Sequence, residues 1–495
     1  MADRPNIVLI MTDQQRADFV KSEGFPLDTM PFLDALGRGG VRFQRAYTPM
    51  PACAPARCSM LTGRFPKATR VRENAGTSAV VRPADLVEVL RERGYSINLA
   101  GKNHSYLTAD AFDFYAPYMH AGGGRPGCLD PEQERFDAWL VALGHRVHPG
   151  PTPFPLACQL PYRVVTDAIA CLDARDARPF FLWLSFPEPH NPYQVPEPYF
   201  SLFPEDQIPA RAAGPEAAEA KGGTWLWLRR LIEATHPGYD DLWRRYRANY
   251  CGMLRLLDDQ IQRFVDYLEA TGLRENTLLV CCSDHGDYAA DYGLQSKGVG
   301  LPECLVRIPL LVTGPGIDPG GAARGAFVSL VDIMPTLCEA VGTEIPYGVQ
   351  GRSLWPLLTG QDYPAAEFDS IYVEAGFGGL PYGADERVPL HFPYAGPEFD
   401  ELNSVTQSGN LKMVRKGRWK LLFDLLGHGQ LYDLERDPAE LHDLFADPDA
   451  RAARLEMAEA LLTWTIRTDD DLPGALYTPK RVAHNWHAPA RAPDA

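Results

Sequence analysis

The chain has no long apolar run. Nowhere in its 495 residues do about 18 uncharged apolar residues follow one another, roughly what a helix needs to cross a bilayer. It has no basic excess: 48 Lys and Arg stand against 64 Asp and Glu, a formal net charge of −16. That balance argues against a nucleic-acid backbone or an anionic membrane as partner. There is no internal repeat, which excludes a solenoid or propeller, and no low-complexity tract. There is no disulfide framework either. The ten cysteines are irregularly spaced, with Cys281 and Cys282 adjacent, and a chain this long does not need staples. Most are expected to be reduced, buried packing residues. The opening "MADRPNIVLIMTDQQ" lacks the apolar region and small-residue cleavage site of a secretory signal, so cytoplasmic residence is expected.

Four apolar segments read instead as buried strands that run straight into polar residues. "NIVLIMTDQQ" ends in Asp13 and Gln14, "YSINLAGKNH" in Lys102 and His104, "FFLWLSFPEPH" at His190, and "TLLVCCSDHGD" in Asp284 and His285. Helix-like stretches lie between them, among them "PADLVEVLRERG" and "YCGMLRLLDDQIQRFVDYLEATG". The alternation predicts an α/β domain with a largely parallel sheet, whose ligand site lies at the carboxyl ends of the strands. From about residue 365 the pattern changes: "SIYVEAG", "LKMVRKGRWKLLFD" and "HGQLYDLERDPAE" read as short antiparallel strands followed by a helix. The expected division is a catalytic domain over 1–364 and a smaller α+β subdomain over 365–495, ending in an extended Pro- and Ala-rich tail. Tail residues such as His484 and Trp486 are candidates for lining a neighbour's pocket in a homo-oligomer, with ordinary surface packing the simpler expectation. The weakly patterned connections 106–160 and 200–245 are candidates for lids or binding loops.

Asp13, Gln14, Asp284 and His285 are oxygen and imidazole donors at two strand ends, where one divalent cation can draw them together. Either Asp alone would serve equally well as a helix cap. In "GKNH", Gly101 permits a tight turn, Lys102 is a compact cation for an anionic oxygen, and His104 is an acid or base near neutral pH. His190 in "PEPHNPY" and Lys297 in "GLQSKG" add a further imidazole and ammonium, although each taken singly is equally a packed or solvated residue. The stretch "PACAPARCSMLTGR", residues 51–64, leaves the state of Cys53 open: a buried thiol, a redox partner of Cys58, or the precursor of a modified residue.

"CAPAR…LTGR" resembles the formylglycine signature of type I sulfatases, Cys-x-Pro-x-Arg followed by Leu-Thr-Gly-Arg. The resemblance continues along most of the chain in the family's order. "NIVLIMTDQ" is similar to the first metal strand, "GKNH" to Gly-Lys-x-His, "PHNPY" to the His-x-Pro element and "SDHGD" to the second metal strand. "GLQSKG…VRIPLLVTGPG", "VDIMPTLCEAVG", "GRSLWPLL" and "LYDLERDPAEL" resemble later landmarks. The resemblance implies an alkaline phosphatase-like fold and hydrolysis of a sulfate monoester, aryl or carbohydrate. It also implies conversion of Cys53 by a formylglycine-generating enzyme to formylglycine (3-oxoalanine), an aldehyde that hydrates to a diol. One diol oxygen would attack sulfur, and the other would collapse to the carbonyl and expel sulfate, which a plain serine or cysteine ester cannot do. The metal ligands implied are Asp13, Gln14, Asp284, His285 and the Cys53 position. Arg57 would hold the nucleophile, and Lys102, Lys297 and His190 would surround the sulfuryl and bridging oxygens. His190 or Lys297 would assist the leaving group and His104 would take the second hydroxyl's proton. Pro55 is expected to open a short helix whose N–H groups face the anion. Such a cleft concentrates positive charge locally in an acidic protein.

The match has departures. Many members carry two adjacent carboxylates where this chain has Asp13 and Gln14, and some carry Asn in place of His285. Oxygen-rich donors favour Ca²⁺, and the imidazole makes Mn²⁺ the alternative. Asp-Gln and Asp-His pairs also occur in relatives that hydrolyse phosphonate monoesters and phosphodiesters, so such a hydrolase with the same aldehyde is the second reading. A non-catalytic anion binder and a Cys53–Cys58 redox centre are the readings from other classes.

Overall fold

The computed structural model of the chain describes residues 4–320, 325–383, 386, 402–469 and 480–487. Nine strands form one sheet: β1 (Asn6–Thr12), β2 (Val41–Tyr47), β3 (Ser96–Gly101), β4 (Phe114–Met119), β5 (Gly122–Gly123), β6 (Phe180–Ser185), β7 (Thr277–Ser283), β8 (Arg307–Thr313) and β9 (Phe327–Ser329). Their order is β5-β4-β3-β6-β1-β7-β8-β2-β9. The four central strands β3, β6, β1 and β7 are parallel to one another. β8 runs antiparallel between β7 and β2, and β5 runs antiparallel on the outer edge. The four apolar runs of the sequence are thus the four neighbouring strands at the sheet's centre. They are apolar along their whole length because both faces are covered.

Alternate residues of each strand point to opposite faces, and each face has its own core. Val8, Ile10, Leu182 and Leu184 pack with Val164, Leu172, Leu254 and Ile261. Ile7, Leu9, Phe181 and Trp183 pack with Ala56, Met60, Leu90 and Leu337. The first face is covered by α3 (Leu160–Asp173) and α4 (Trp243–Ala270), the second by α1 (Cys53–Thr62), α2 (Leu86–Glu92) and α5 (Ile333–Ala340). α2 begins with a capping box, Asp85 accepting from the Glu88 amide while Glu88 accepts from the Asp85 amide, which satisfies two otherwise orphaned donors.

A second sheet, β10 (Ser370–Gly378), β11 (Gly409–Lys416), β12 (Trp419–Asp424) and β13 (Gly429–Asp433), is antiparallel throughout, and α6 (Arg451–Thr468) packs on it through Met457, Leu461 and Trp464. Its other face joins the main body: Ile371, Val373 and Met413 share a core with Tyr47, Leu305 and Phe327.

The two weakly patterned connections have more structure than their sequence announced. Residues 106–160 contain β4, β5 and a helix at Pro131–Leu143, and 200–245 contain helices at Pro215–Lys221 and Gly223–Thr235. β4 escaped notice because it is only six residues long and carries a proline, Pro117, inside it, which pattern reading counts against a strand. Part of the tail docks on its own chain: His484 Nδ1 lies 2.9 Å from a Glu339 carboxylate oxygen, and Trp486 Nε1 donates to the Ser353 carbonyl at 3.0 Å. Residues 488–495 of that tail lie outside the described residues. Among the described residues no helix is long and apolar enough to cross a membrane.

Candidate active site

Strand register brings the predicted residues to one rim. Thr12 pairs with Ser283, while Met11 and Gly101 both pair with Ser185, so Asp13 and Asp284 leave adjacent strand ends with Lys102 across the sheet. β3 and β6 approach too closely there for a side chain. A Cβ on Gly101 would lie 1.7 Å from the Ser185 carbonyl oxygen, and Gly101 has φ +122°. Gln14 has φ +65°, uncommon for a residue with a side chain. Its amide donates to Asp284 Oδ1 at 3.1 Å and its carbonyl accepts from the Tyr250 hydroxyl at 2.6 Å, which pins the turn.

Cys53 is the first residue of α1 and is buried. Pro55 does not open the helix as expected but stands third in it. A residue without an N–H fits there because the first-turn amides have no partner within the helix. Cys53 Sγ lies 3.6 Å from Asp13 Oδ1 and 3.3 Å from His285 Nε2. One turn on, Arg57 faces the same way. It donates to Asp13 Oδ2 at 2.9 Å, Asp284 Oδ2 at 2.9 Å, the Lys102 carbonyl at 2.8 Å and Ser185 Oγ at 2.8 Å. Cys58, five residues from Cys53, turns instead into an apolar pocket with Ala54 and Val71. Both sulfurs are free thiols, and their different faces supply no basis for the redox-pair reading.

Asp13 Oδ2 also accepts from Lys102 Nζ, and Lys102 Nζ stands 3.0 Å from His120 Nε2. The His120 ring stacks on His190, centroids 3.5 Å apart and planes 10° apart. His190 Nε2 lies 3.3 Å from Lys297 Nζ, which donates to Gln14 Oε1 at 2.6 Å. Five of the expected residues thus close a ring through one imidazole that the sequence reading missed. Asp287 was missed as well. It accepts Gln14 Nε2 at 2.9 Å, the Tyr193 hydroxyl at 2.8 Å and the Tyr246 hydroxyl, and so sets which way the Gln14 amide points. Asp287 stood inside the quoted "SDHGD", whereas nothing around His120 in "YMHAGGG" marks it. His104 (φ +44°) lies within the field of Lys102 and Arg57, and its Nδ1 is buried with no hydrogen-bond partner among the described residues.

The electrostatics follow from burial and charge. Burial alone would raise Asp13, but Lys102 and then Arg57 hold it well below the usual carboxylate range. Asp284 goes the other way, to about 6, because of burial and the neighbouring Asp13. Two carboxylates crowded enough to oppose each other across an arginine call for further positive charge. Burial and Asp13 raise Cys53, but Lys102, Lys297 and His285 outweigh them and bring it to about 7. Burial also keeps His104, His120 and His190 neutral, with Lys102 adding to it for the first two and the stacked His120, then Lys297, for His190; His104 falls to about 3.

The donor set suits a cation. Ligand atoms of Asp13, Cys53, Asp284 and His285 all lie within 4.8 Å of one another. His285 Nδ1 is 2.8 Å from the Gly286 carbonyl, which assigns its proton there and turns the Nε2 lone pair inward, the arrangement typical of metal-bound histidine. Gln14 Oε1 is adjacent but is already held by Ser296 Oγ at 3.0 Å and by Lys297.

The chain resembles known proteins along most of its length. Residues 5–343 match the Sulfatase family. The chain is 28% identical to the multifunctional alkaline phosphatase superfamily protein PehA of Trinickia caryophylli, over 94% of this chain and 96% of that one. It is 29% identical to the choline-sulfatase of Rhizobium meliloti, over 90% and 83%. Among solved structures, the phosphonate monoester hydrolase of Agrobacterium radiobacter superposes with a TM-score of 0.75 at 27% identity, over 94% and 96% of the two chains. With the mostly parallel sheet, the buried acid–thiol–imidazole cluster and the family match together, the chain belongs to the sulfatase family, hydrolases of alkaline phosphatase-like fold.

Proposed function

We propose that the protein hydrolyses a sulfate monoester, aryl or carbohydrate, with a formylglycine made from Cys53 and one divalent cation. The observation that carries this reading is the position of the Cys53 sulfur: on a helix start, against Asp13 and His285, within a pocket that also holds two lysines. Asp13, Asp284, His285 and the residue derived from Cys53 hold the cation, and Gln14 joins them as a neutral oxygen donor when Lys297 leaves its amide oxygen for the substrate. Calcium fits the oxygen donors best, and the His285 nitrogen makes manganese the alternative. The cation supplies Lewis acidity toward the ester oxygens, and the hydrated aldehyde supplies the attacking oxygen together with a second hydroxyl.

The remaining work falls to the chain's own side chains. Arg57 holds Asp13 and Asp284 at fixed distance and stays charged. Lys102 and Lys297 bind the anionic oxygens, where charge builds up in the transition state. His190 donates from Nδ1 to the Asn191 carbonyl at 2.8 Å, which leaves its Nε2 lone pair on Lys297, so Lys297 is the proton donor to the leaving oxygen and His190 its support. His104, neutral, is the remaining base.

A second reading has its own support: a phosphonate monoester hydrolase or phosphodiesterase using the same site. Relatives at 27–28% identity bear the names phosphonate monoester hydrolase and multifunctional phosphatase-superfamily protein, and the Asp-Gln and Asp-His pairs fit either ester.

Two measurements test these readings. In protein made together with a formylglycine-generating enzyme, the tryptic peptide containing Cys53 should form an adduct with an aldehyde reagent; an intact thiol in fully active protein would sink the mechanism. Initial rates on an aryl sulfate and an aryl phosphonate monoester, measured side by side, then decide the substrate class, and a higher kcat/KM on the phosphonate replaces the first reading by the second.

A further inference from the structure

Against the stacked imidazoles lies a small cavity of about 10 Å³, room for a single water, lined in part by His120, Glu188, His190 and Gln194. Three buried polar atoms of these residues have no hydrogen-bond partner among the described residues: His120 Nδ1, Glu188 Oε2 and Gln194 Oε1. Glu188 is 7% exposed and Gln194 4%. Leaving such a group unsatisfied costs about 1–3 kcal/mol, so three around one cavity call for a shared partner.

Their chemistry is complementary. Lys102 Nζ is an ammonium with donors only, so His120 Nε2, 3.0 Å away, accepts. A neutral imidazole then carries its proton on Nδ1, which is a donor, while Gln194 Oε1 is an acceptor; burial pushes Glu188 up to about 8, and its Oε2 accepts both as a carboxylate oxygen and as the carbonyl oxygen of the acid. A water accepts one hydrogen bond and donates two, and about three bonds is the usual complement of a buried water. His190 solves the same problem without water, because its Nδ1 proton goes to the Asn191 carbonyl. Glu188 is also well anchored: its backbone carbonyl accepts the Asp13 amide at 3.0 Å.

We propose that His120, Glu188 and Gln194 form a site for one ordered water, through which Glu188 keeps the proton on His120 Nδ1 and so keeps the Nε2 lone pair on Lys102. Glu188 is then a positioning residue for Lys102, acting through His120. The assignment of the tautomer stands on geometry alone; its effect on turnover rests on the function proposed above.

The test uses histidine-labelled, calcium-exchanged protein and long-range ¹H–¹⁵N correlation. His120 should carry its proton on Nδ1 in the unaltered chain. Glu188→Leu, which removes an acceptor and fills the cavity, should move a measurable share of His120 to the Nε2–H form. On whichever aryl ester is turned over it should lower kcat about tenfold, the lower end for loss of such an outer partner, with little change in KM. Glu188→Gln keeps an oxygen acceptor and should recover most of both signals. If Glu188→Leu fails to fold, Gln194→Leu should give the same shift more weakly. A proton on Nε2 in the unaltered chain, or a tautomer unmoved by these substitutions, would overturn the proposal. The expected tautomers in a protein inert toward both aryl esters would instead sink the proposed function and leave the water site standing.

Discussion

Two buried ionic clusters, one at the rim of the main sheet and one where the second sheet meets the body, both pair carboxylates with an arginine and a lysine and behave differently. In the second, Glu303 accepts from Tyr47 at 2.8 Å, from Arg415 and from Lys420 at 3.2 Å, and Lys420 goes on to Glu440 at 3.0 Å and the Leu301 carbonyl at 2.5 Å. Each charge there answers another. Burial would raise Glu303, but Arg415 and Lys420 pull it down to about 2. At the rim, Asp13 and Asp284 share Arg57, yet Asp284 stays raised, and the free ends of Asp13, Cys53 and His285 converge on one another. A saturated cluster holds two parts together, whereas an unsaturated, convergent one suits a cation. Burial and charge alone would not have told them apart.

The largest expected effect separates the two clusters directly. Arg57→Leu and Lys420→Met each strand buried carboxylates, and each should cost about 3–5 kcal/mol in denaturant unfolding. Only Arg57→Leu should also abolish turnover per folded molecule; a Lys420→Met enzyme equally dead would break the contrast. Next comes removal of the cation. A chelator should abolish activity, and adding back a divalent ion at 100 times its Kd should stabilise the fold by about 2.7 kcal/mol, whereas a melting temperature indifferent to chelator and metal would refute the rim as a cation site. The third uses pH. The folded-state pKa of Glu303 is depressed, so its contribution to stability is fully present above the unfolded value of 4.5 and is lost as pH falls from there toward about 2. Glu303→Gln should flatten the acid limb of the stability curve in that window, by up to about 1.4 kcal/mol per pH unit. The smallest effect contrasts the two cysteines of α1. Burial pushes Cys58 up to about 12 while Cys53 lies near 7. Cys58→Ala should cost about 1–2 kcal/mol of stability and spare kcat, and Cys53→Ala should do the reverse. Lost turnover in Cys58→Ala would show that the apolar face of the helix also serves the reaction.

Much of this was legible beforehand because it is local. Apolar runs ending in Asp13, Lys102, His190 and Asp284 are themselves the central strands and their carboxyl ends, so the parallel sheet and its rim could be read from periodicity and from the family motifs together. The spacing of Cys53 and Arg57 is one helical turn, so their shared face could be read too. His120 could not, because it follows a short, proline-bearing strand in a segment without periodicity, and reaches the site only through the pairing of β4 with β3. The orientation of the Gln14 amide could not be read either, since it is set by Asp287, in the loop after β7 and some 270 residues away.

By itself, then, the amino-acid order determined the class of fold, the place of Cys53 and Arg57 on one helix face and most of the charged groups around them, since each rests on neighbours in the chain. Only the tertiary structure decided which imidazoles face which lysines, which buried charges are saturated, and which cysteine of α1 meets the acids. Those are matters of distance and direction between segments far apart in sequence, and strand register and packing set them where no local pattern can.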